Sequence, residues 1–232
     1  MVVMDRSMNR EEILTQLQNR TVYSPLSHNP SSAIESKIKP SILASLIKKT
    51  QAFLIKSDAM IPVFYTLPKI HRGLDRTPGR PIVASTNSIL SPLAILLEKI
   101  LTPLVKNIPS FILDTGAFLN VIRTINRVTS DTILVTLDVN NLYTSVEHEK
   151  GIRATRLLLE KTDMDAMVID FLMKLLKLVL TENFFLFEDT FYLQVQGTDM
   201  GSNVAPPMPI HSCLTLKMNL YIPIYCISHN VV

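Results

Sequence analysis

Cysteine is nearly absent from this chain, and its scarcity removes two classes of protein at once. Cys213 and Cys226 are the only two in 232 residues. That is too few for a disulfide framework, and no histidine lies at zinc-finger spacing from either. A reduced, intracellular protein is the expectation. Glycine is also sparse, at 6 residues against 14 prolines, which points to helices joined by stiff connections. Charged residues make up only 19% and apolar residues 47%, so the chain is not a disordered polyelectrolyte and has material for a core. No apolar leader stands at residues 1–12, where Asp5, Arg6, Arg10, Glu11 and Glu12 intervene. The most apolar long window, 168–187, is broken by Asp170, Lys174, Lys177 and Glu182, so no membrane span and no membrane partner are expected. The five histidines form no pattern with a serine or cysteine nucleophile, and no internal repeat is present.

What is present is a helix-rich α+β pattern. Helical spacing covers 10–19 and 31–51, with Pro25 and Pro30 interrupting between them. Short β-prone runs at 63–66 and 81–84 flank a loop with the turn pair Pro78-Gly79, which reads as a hairpin. Helices are expected at 89–105, with Pro92 in the first turn, and at 117–126. A strand over 132–138 follows, then helices over 147–161 and 163–180. In the last, Met164, Met167, Val168, Phe171, Leu172, Leu175, Leu176 and Val179 form one apolar face and read as core. Phe184 to Phe187 and Phe191 to Val195 flank Glu188-Asp189-Thr190 as a hairpin, and a final helix is expected from Met200 or Ser202. Four regions follow: a helical arm at 1–58, a region with a basic hairpin at 59–130, a β-containing region at 131–207, and a divergent tail at 208–232.

Charge matters here by position. Net charge is only +3, which hardly predicts a nucleic-acid partner, but Lys69, Arg72, Arg76 and Arg80 stand in one loop against the single anion Asp75. Such a loop suits phosphate groups. The run Leu134-Val135-Thr136-Leu137-Asp138-Val139 delivers a carboxylate at the end of an apolar strand, where it can bind a hard cation that wants oxygen ligands. An aspartate that merely ends a strand and opens a turn looks the same in isolation. Tyr143 follows five residues later, and taken alone it fits a core aromatic. Further on, Gln196-Gly197-Thr198-Asp199-Met200-Gly201 places two glycines four apart, where a Cβ could not be accommodated.

Taken in order, these segments resemble reverse transcriptases, most closely those of Penelope-like retroelements. Asp138-Val139-Asn140-Asn141-Leu142-Tyr143-Thr144-Ser145-Val146 is similar to the family's motif A, and residues 196–207 are similar to motif B. Tyr65 to Arg72 and Gly79 to Ser85 resemble the fingers segments, and Phe111 to Thr115 the connecting region. The resemblance runs from about 24 to 207. It implies a right-hand polymerase architecture with fingers and a partial palm. It also implies that Asp138 and the Val139 carbonyl ligate Mg²⁺, and that Tyr143 lies under the sugar of an incoming deoxynucleotide and excludes a 2′-hydroxyl. Gln196 and Gly197 would approach the nucleotide, while Lys69 and Arg80 would reach its triphosphate. Arg72 and Arg76 either contact template phosphates or are solvated loop charges. Asp114 carries no chemistry and reads as a helix cap. The implied partners are an RNA template, a DNA primer and deoxynucleotides, and the retroelement origin suggests the nucleus.

One part of the pattern is missing. Two metal ions about 3.5–4 Å apart serve nucleotidyl transfer. Their repulsion, about 4 kcal/mol even at the dielectric of water, must be offset by clustered carboxylates. The family supplies these from motif A and a later Asp-Asp hairpin. No adjacent Asp-Asp pair occurs here, and no acidic residue follows Gly201. Asp189 and Asp199 are not expected beside Asp138. The expectation is a fragment without the second catalytic hairpin or a thumb, inactive alone. Two further readings remain: a non-catalytic nucleic-acid-binding or interaction module, and a remnant whose open sheet edge invites aggregation.

Overall fold

The structure, a computed structural model, describes residues 5–43, 53–69, 78–108, 110–125, 141–205 and 226–227. Among them the protein is α+β, with seven helices, a five-stranded mixed sheet and a separate two-stranded pair. The strand expected over 132–138 lies outside the described residues.

Helix α1 (Arg6–Leu17) begins where Asp5 accepts the amide of Ser7 at 2.7 Å, a side-chain cap for one of the amides left unpaired at a helix start. Strand β1 (Tyr23–Leu26) follows, then α2 (Ser31–Leu43). The expected hairpin is β2 (Val63–Pro68) and β3 (Gly79–Ala84), antiparallel and in register from Val63 opposite Ala84 to Pro68 opposite Gly79, while its basic tip lies outside the described residues. Helix α3 (Ser91–Lys106) carries Pro92 in its opening positions, where a missing N–H costs nothing. Strand β4 (Phe111–Ile112) leads to α4 (Thr115–Arg123), which Asp114 caps by accepting the amide of Ala117 at 2.8 Å. Then come α5 (Leu142–Ser145), α6 (His148–Leu159) and α7 (Ala166–Thr181). The hairpin β5 (Phe184–Phe187) and β6 (Thr190–Gln194) turns at Glu188, whose φ is 52°. Strand β7 (Cys226–Ile227) pairs in parallel with β4.

The large sheet has the order β1-β6-β5-β2-β3, antiparallel except between β2 and β5. Alternation along β2 explains its two faces. Phe64 and Thr66 are buried beneath α1, together with Val83, Phe185, Ile13 and Leu17, whereas Val63, Tyr65 and Leu67 are exposed. Tyr23, Phe64 and Phe185 interlock there, with Tyr23 edge-on to both rings. The opposite side of the β1–β6–β5 half is closed by the larger core of α2, α3 and α7. Among the described residues both edge strands carry a proline, Pro25 in β1 and Pro81 in β3. Each removes a backbone donor from an edge that would otherwise template further pairing.

Three expectations are corrected. Residues 23–26 form a strand paired with β6, although the prolines around them read only as helix breakers. Helix α7 starts at Ala166 because Asp165 caps it through the amide of Met167 at 2.7 Å. Its apolar face is buried as expected at Phe171, Leu172, Leu175, Leu176 and Val179, but Met167 is 78% and Val168 46% exposed, and Ile169, Met173 and Leu180 are buried as well. The reason is that α7 packs against both α3 and α6, so its buried arc is broad and leaves out the first turn. No helix starts at 200 or 202 among the described residues. Residues 200–205 are a chain of turns closed by hydrogen bonds such as Ala205 N–H to the carbonyl of Ser202 at 3.0 Å. Among the described residues no helix is long and apolar enough to cross a membrane.

Candidate functional site

The turn at 196–201 is held between two other segments of the chain, and glycine is required at both contacts. Gly197 has φ of +80°, and a Cβ there would stand 2.3 Å from the carbonyl oxygen of Tyr143 and 2.6 Å from Cα of Thr144. At Gly201 a Cβ would fall 1.7 Å from the carbonyl oxygen of Val83, at the end of β3. The two glycines are thus explained by approach to the protein's own backbone. Hydrogen bonds fasten the same contacts: the Gly197 amide donates to the Val146 carbonyl at 2.9 Å, and the Thr198 amide to the Tyr143 carbonyl at 2.7 Å. Asn141, with φ of 50°, turns the chain into α5 so that these carbonyls face the turn.

On the other side Asp199 is buried, and the Ser85 hydroxyl donates to its carboxylate. Burial pushes this carboxyl up to about 6, and the Ser85 hydrogen bond opposes that rise. Its negative charge contributes, after burial, to raising the Tyr23 phenol. The cavity behind Asp199, lined by Ser85, Ser88, Asn183 and Ser202 among others, is only about 10 Å³. It has room for one water and for no organic ligand. Thr198 is also buried, and its hydroxyl oxygen has no hydrogen-bond partner among the described residues.

Of the residues singled out in the sequence, Asp138, Val139, Arg72 and Arg76 lie outside the described residues. Tyr143 and Gly197 are brought together by the contacts above, with Gln196 next to Gly197 in the chain. Tyr143 is half-buried; burial raises its phenol, and the Arg80 guanidinium pulls it back down, which brings Arg80 into the same neighbourhood. Lys69 stands where the β2–β3 ladder ends, its amide donating to the Pro78 carbonyl at 2.9 Å. Helix α1 braces that end of the hairpin. Glu12 accepts the Gly79 amide at 2.8 Å, Gln16 donates to the Gly79 carbonyl at 2.9 Å, and Asn9 accepts from Thr66 at 2.5 Å. Among the described residues no three His, Cys, Asp or Glu side chains gather as a metal site.

Ser85, Asp199 and His148 were missed as parts of this site. For Asp199 the signal was an acid inside the otherwise uncharged Gly-Thr-Asp-Met-Gly turn. His148 left none, because its partner is a backbone carbonyl: its Nε2 lies 2.7 Å from the oxygen of Gly197.

Comparison with protein-family models, with characterised proteins and with solved structures gave no match to this chain.

Proposed function

We propose that this chain is a reverse-transcriptase-type domain, similar to those of Penelope-like retroelements, with the fingers and palm of a right-hand polymerase. The observation that carries the reading is the meeting of Tyr143 with the Gly197–Thr198 turn, in the neighbourhood of Arg80. Three segments distant in sequence, each chosen for its likeness to a different motif, converge on one place. In this reading Arg80 clamps triphosphate oxygens in bidentate fashion, and Lys69 adds a point charge. The Tyr143 ring then selects deoxynucleotides by crowding a 2′-hydroxyl, and Gln196 and Gly197 border the nucleotide. Asp138 and the carbonyl of Val139 would hold Mg²⁺, which would supply charge neutralisation for phosphoryl transfer.

These 232 residues contain no Asp-Asp pair. Asp199 does not replace it: it is a single carboxyl, buried and engaged by the Ser85 hydroxyl. The chain on its own therefore binds a primed template without extending it. The test is the purified chain with an RNA template, DNA primer, deoxynucleotides and Mg²⁺ or Mn²⁺. No extension, with template binding that weakens steeply as salt is raised, is the expected result. Asp138-dependent synthesis would overturn the inactivity. Absence of any template or nucleotide binding would overturn the family reading. The lack of the carboxylate pair favours, as the second reading, a binding module that keeps the basic hairpin and no catalysis.

A further inference from the structure

We propose that His148 is a positioning residue: its imidazole latches the Gly197 turn to the segment that carries Tyr143. What the latch is for rests on the reverse-transcriptase reading; that it exists is read from geometry alone. Gly197 is buried, and both polar groups of its backbone are committed across the same junction. The amide donates to the Val146 carbonyl at 2.9 Å, and the carbonyl receives His148 Nε2 at 2.7 Å. One residue further on, the Thr198 amide reaches the Tyr143 carbonyl at 2.7 Å. Two of these three bonds are backbone to backbone and survive side-chain substitution. His148 contributes the third, and it alone depends on side-chain identity.

A carbonyl oxygen can only accept, so Nε2 must carry the proton and Nδ1 is the bare nitrogen in the neutral ring. The residue's place in the chain makes the latch rigid. His148 opens α6, immediately after Val146 and Glu147, and α6 is packed along α7 in the larger core. The ring is half-buried, and burial holds it toward the neutral form. A turn that needs φ of +80° at Gly197 and has no room for a Cβ is thereby tied to a core helix as well as to the Tyr143 backbone. Without the imidazole the buried Gly197 carbonyl loses its partner, and the turn is free to rotate that peptide. In the nucleotide-binding reading, His148 keeps the turn seated against the segment that presents the Tyr143 ring to the nucleotide.

The experiment is hydrogen exchange on the full chain, comparing peptides that cover 195–201 with those that cover the β5–β6 hairpin. In His148→Ala the 195–201 peptides should exchange about tenfold faster, the factor that corresponds to one hydrogen bond of ordinary strength. The hairpin peptides should keep the wild-type rate. His148→Gln, whose amide can still donate, should restore protection. Wild-type exchange at 195–201 in the alanine variant would overturn the proposal. So would equal loss in the alanine and glutamine variants with the hairpin still protected. Should the alanine variant not fold, the imidazole ¹⁵N shifts of the wild-type protein decide the matter. The Nε2-protonated tautomer is expected at pH 7.5, and the Nδ1-protonated tautomer would exclude the bond. Titration with deoxythymidine triphosphate and Mg²⁺ separates the two layers: a wild-type protein that ignores the nucleotide removes the reverse-transcriptase reading, while exchange and tautomer still judge the latch.

Discussion

The amide of Thr198 and the carbonyl of Tyr143 share a 2.7 Å hydrogen bond across two helices and a hairpin of intervening sequence. It makes the turn at 196–201 and the aromatic segment one structural unit, with β3 as its other wall. The glycines in the turn are what allow both walls to come so close.

Replacing either glycine should therefore separate the walls. In Gly197→Ala the added methyl meets the Tyr143 carbonyl and the backbone must hold a positive φ. In Gly201→Ala the methyl meets the Val83 carbonyl. Neither obstacle is the movable end of a flexible side chain. Each substitution is expected to cost about 2–4 kcal/mol, read as a fall in the urea midpoint at unchanged slope. A shift of under about 0.5 kcal/mol would show that the turn is not packed as described.

The larger core offers a test of where the buried arc of α7 begins. Leu175 is fully buried, so Leu175→Ala should cost about 2–5 kcal/mol. Met167, at 78% exposure, should lose less than about 0.5 kcal/mol on truncation to alanine. The apolar stripe in the sequence treats the two residues alike; equal losses in chemical denaturation would favour the stripe over the structure.

What could be read from the sequence was local. Asp114 was readable as a cap because its action extends three residues, to Ala117. The hairpin at 63–84 was readable because β-prone runs and a Pro-Gly turn lie next to one another. Strand β1 was not: four residues with a proline at the third acquire strand character only by pairing with β6, far away in the chain. The α7 stripe was readable from Phe171 to Val179 but its limits were not, since periodicity shows that a helix has an apolar face but not how many neighbours share it. The site divides along the same line. Gly197 and Gly201 could be recognised as places with no room for a Cβ, but the atoms that crowd them belong to Tyr143, Thr144 and Val83. Recognising Asp199 and His148 required the partners Ser85 and Gly197, which no spacing rule supplies.

Thr198 lies between those two partnerships with a buried hydroxyl that is unpaired among the described residues. An unmade hydrogen bond of this kind costs on the order of 1–3 kcal/mol relative to a paired one, whereas an apolar group of the same shape carries no such penalty. Thr198→Val is accordingly expected to leave thermal stability unchanged or raise it by up to about 1 kcal/mol. A loss above about 1 kcal/mol would mean that the hydroxyl has a partner.

Asp199 gives the protein a pH dependence whose direction is fixed by its environment. Its carboxyl titrates at about 6 in the folded protein, above the ordinary 3.8, because burial disfavours the charged form. Between those two values the folded chain holds a proton that the unfolded chain has released. Stability from this group is thus fully present below pH 3.8 and is lost as pH rises through about 6. His148 acts in the opposite sense over a neighbouring range. Burial lowers its pKa from 6.5, so its contribution is present above 6.5 and is lost as pH falls below that value. Asp199→Asn keeps an acceptor for Ser85 and removes the ionisation. It should raise stability at pH 7.5 by roughly 1–3 kcal/mol and leave it nearly unchanged at pH 4. With the aspartate gone, stability should decline as pH falls below 6.5 through His148, with the salt-bridged Glu188 adding to the decline only below about pH 4.5. Urea unfolding of both proteins at pH 4, 5.5 and 7.5 measures this directly. A variant less stable than wild type at pH 7.5 would show that the carboxylate is stabilised there by its charge, and that the Ser85 hydrogen bond outweighs burial.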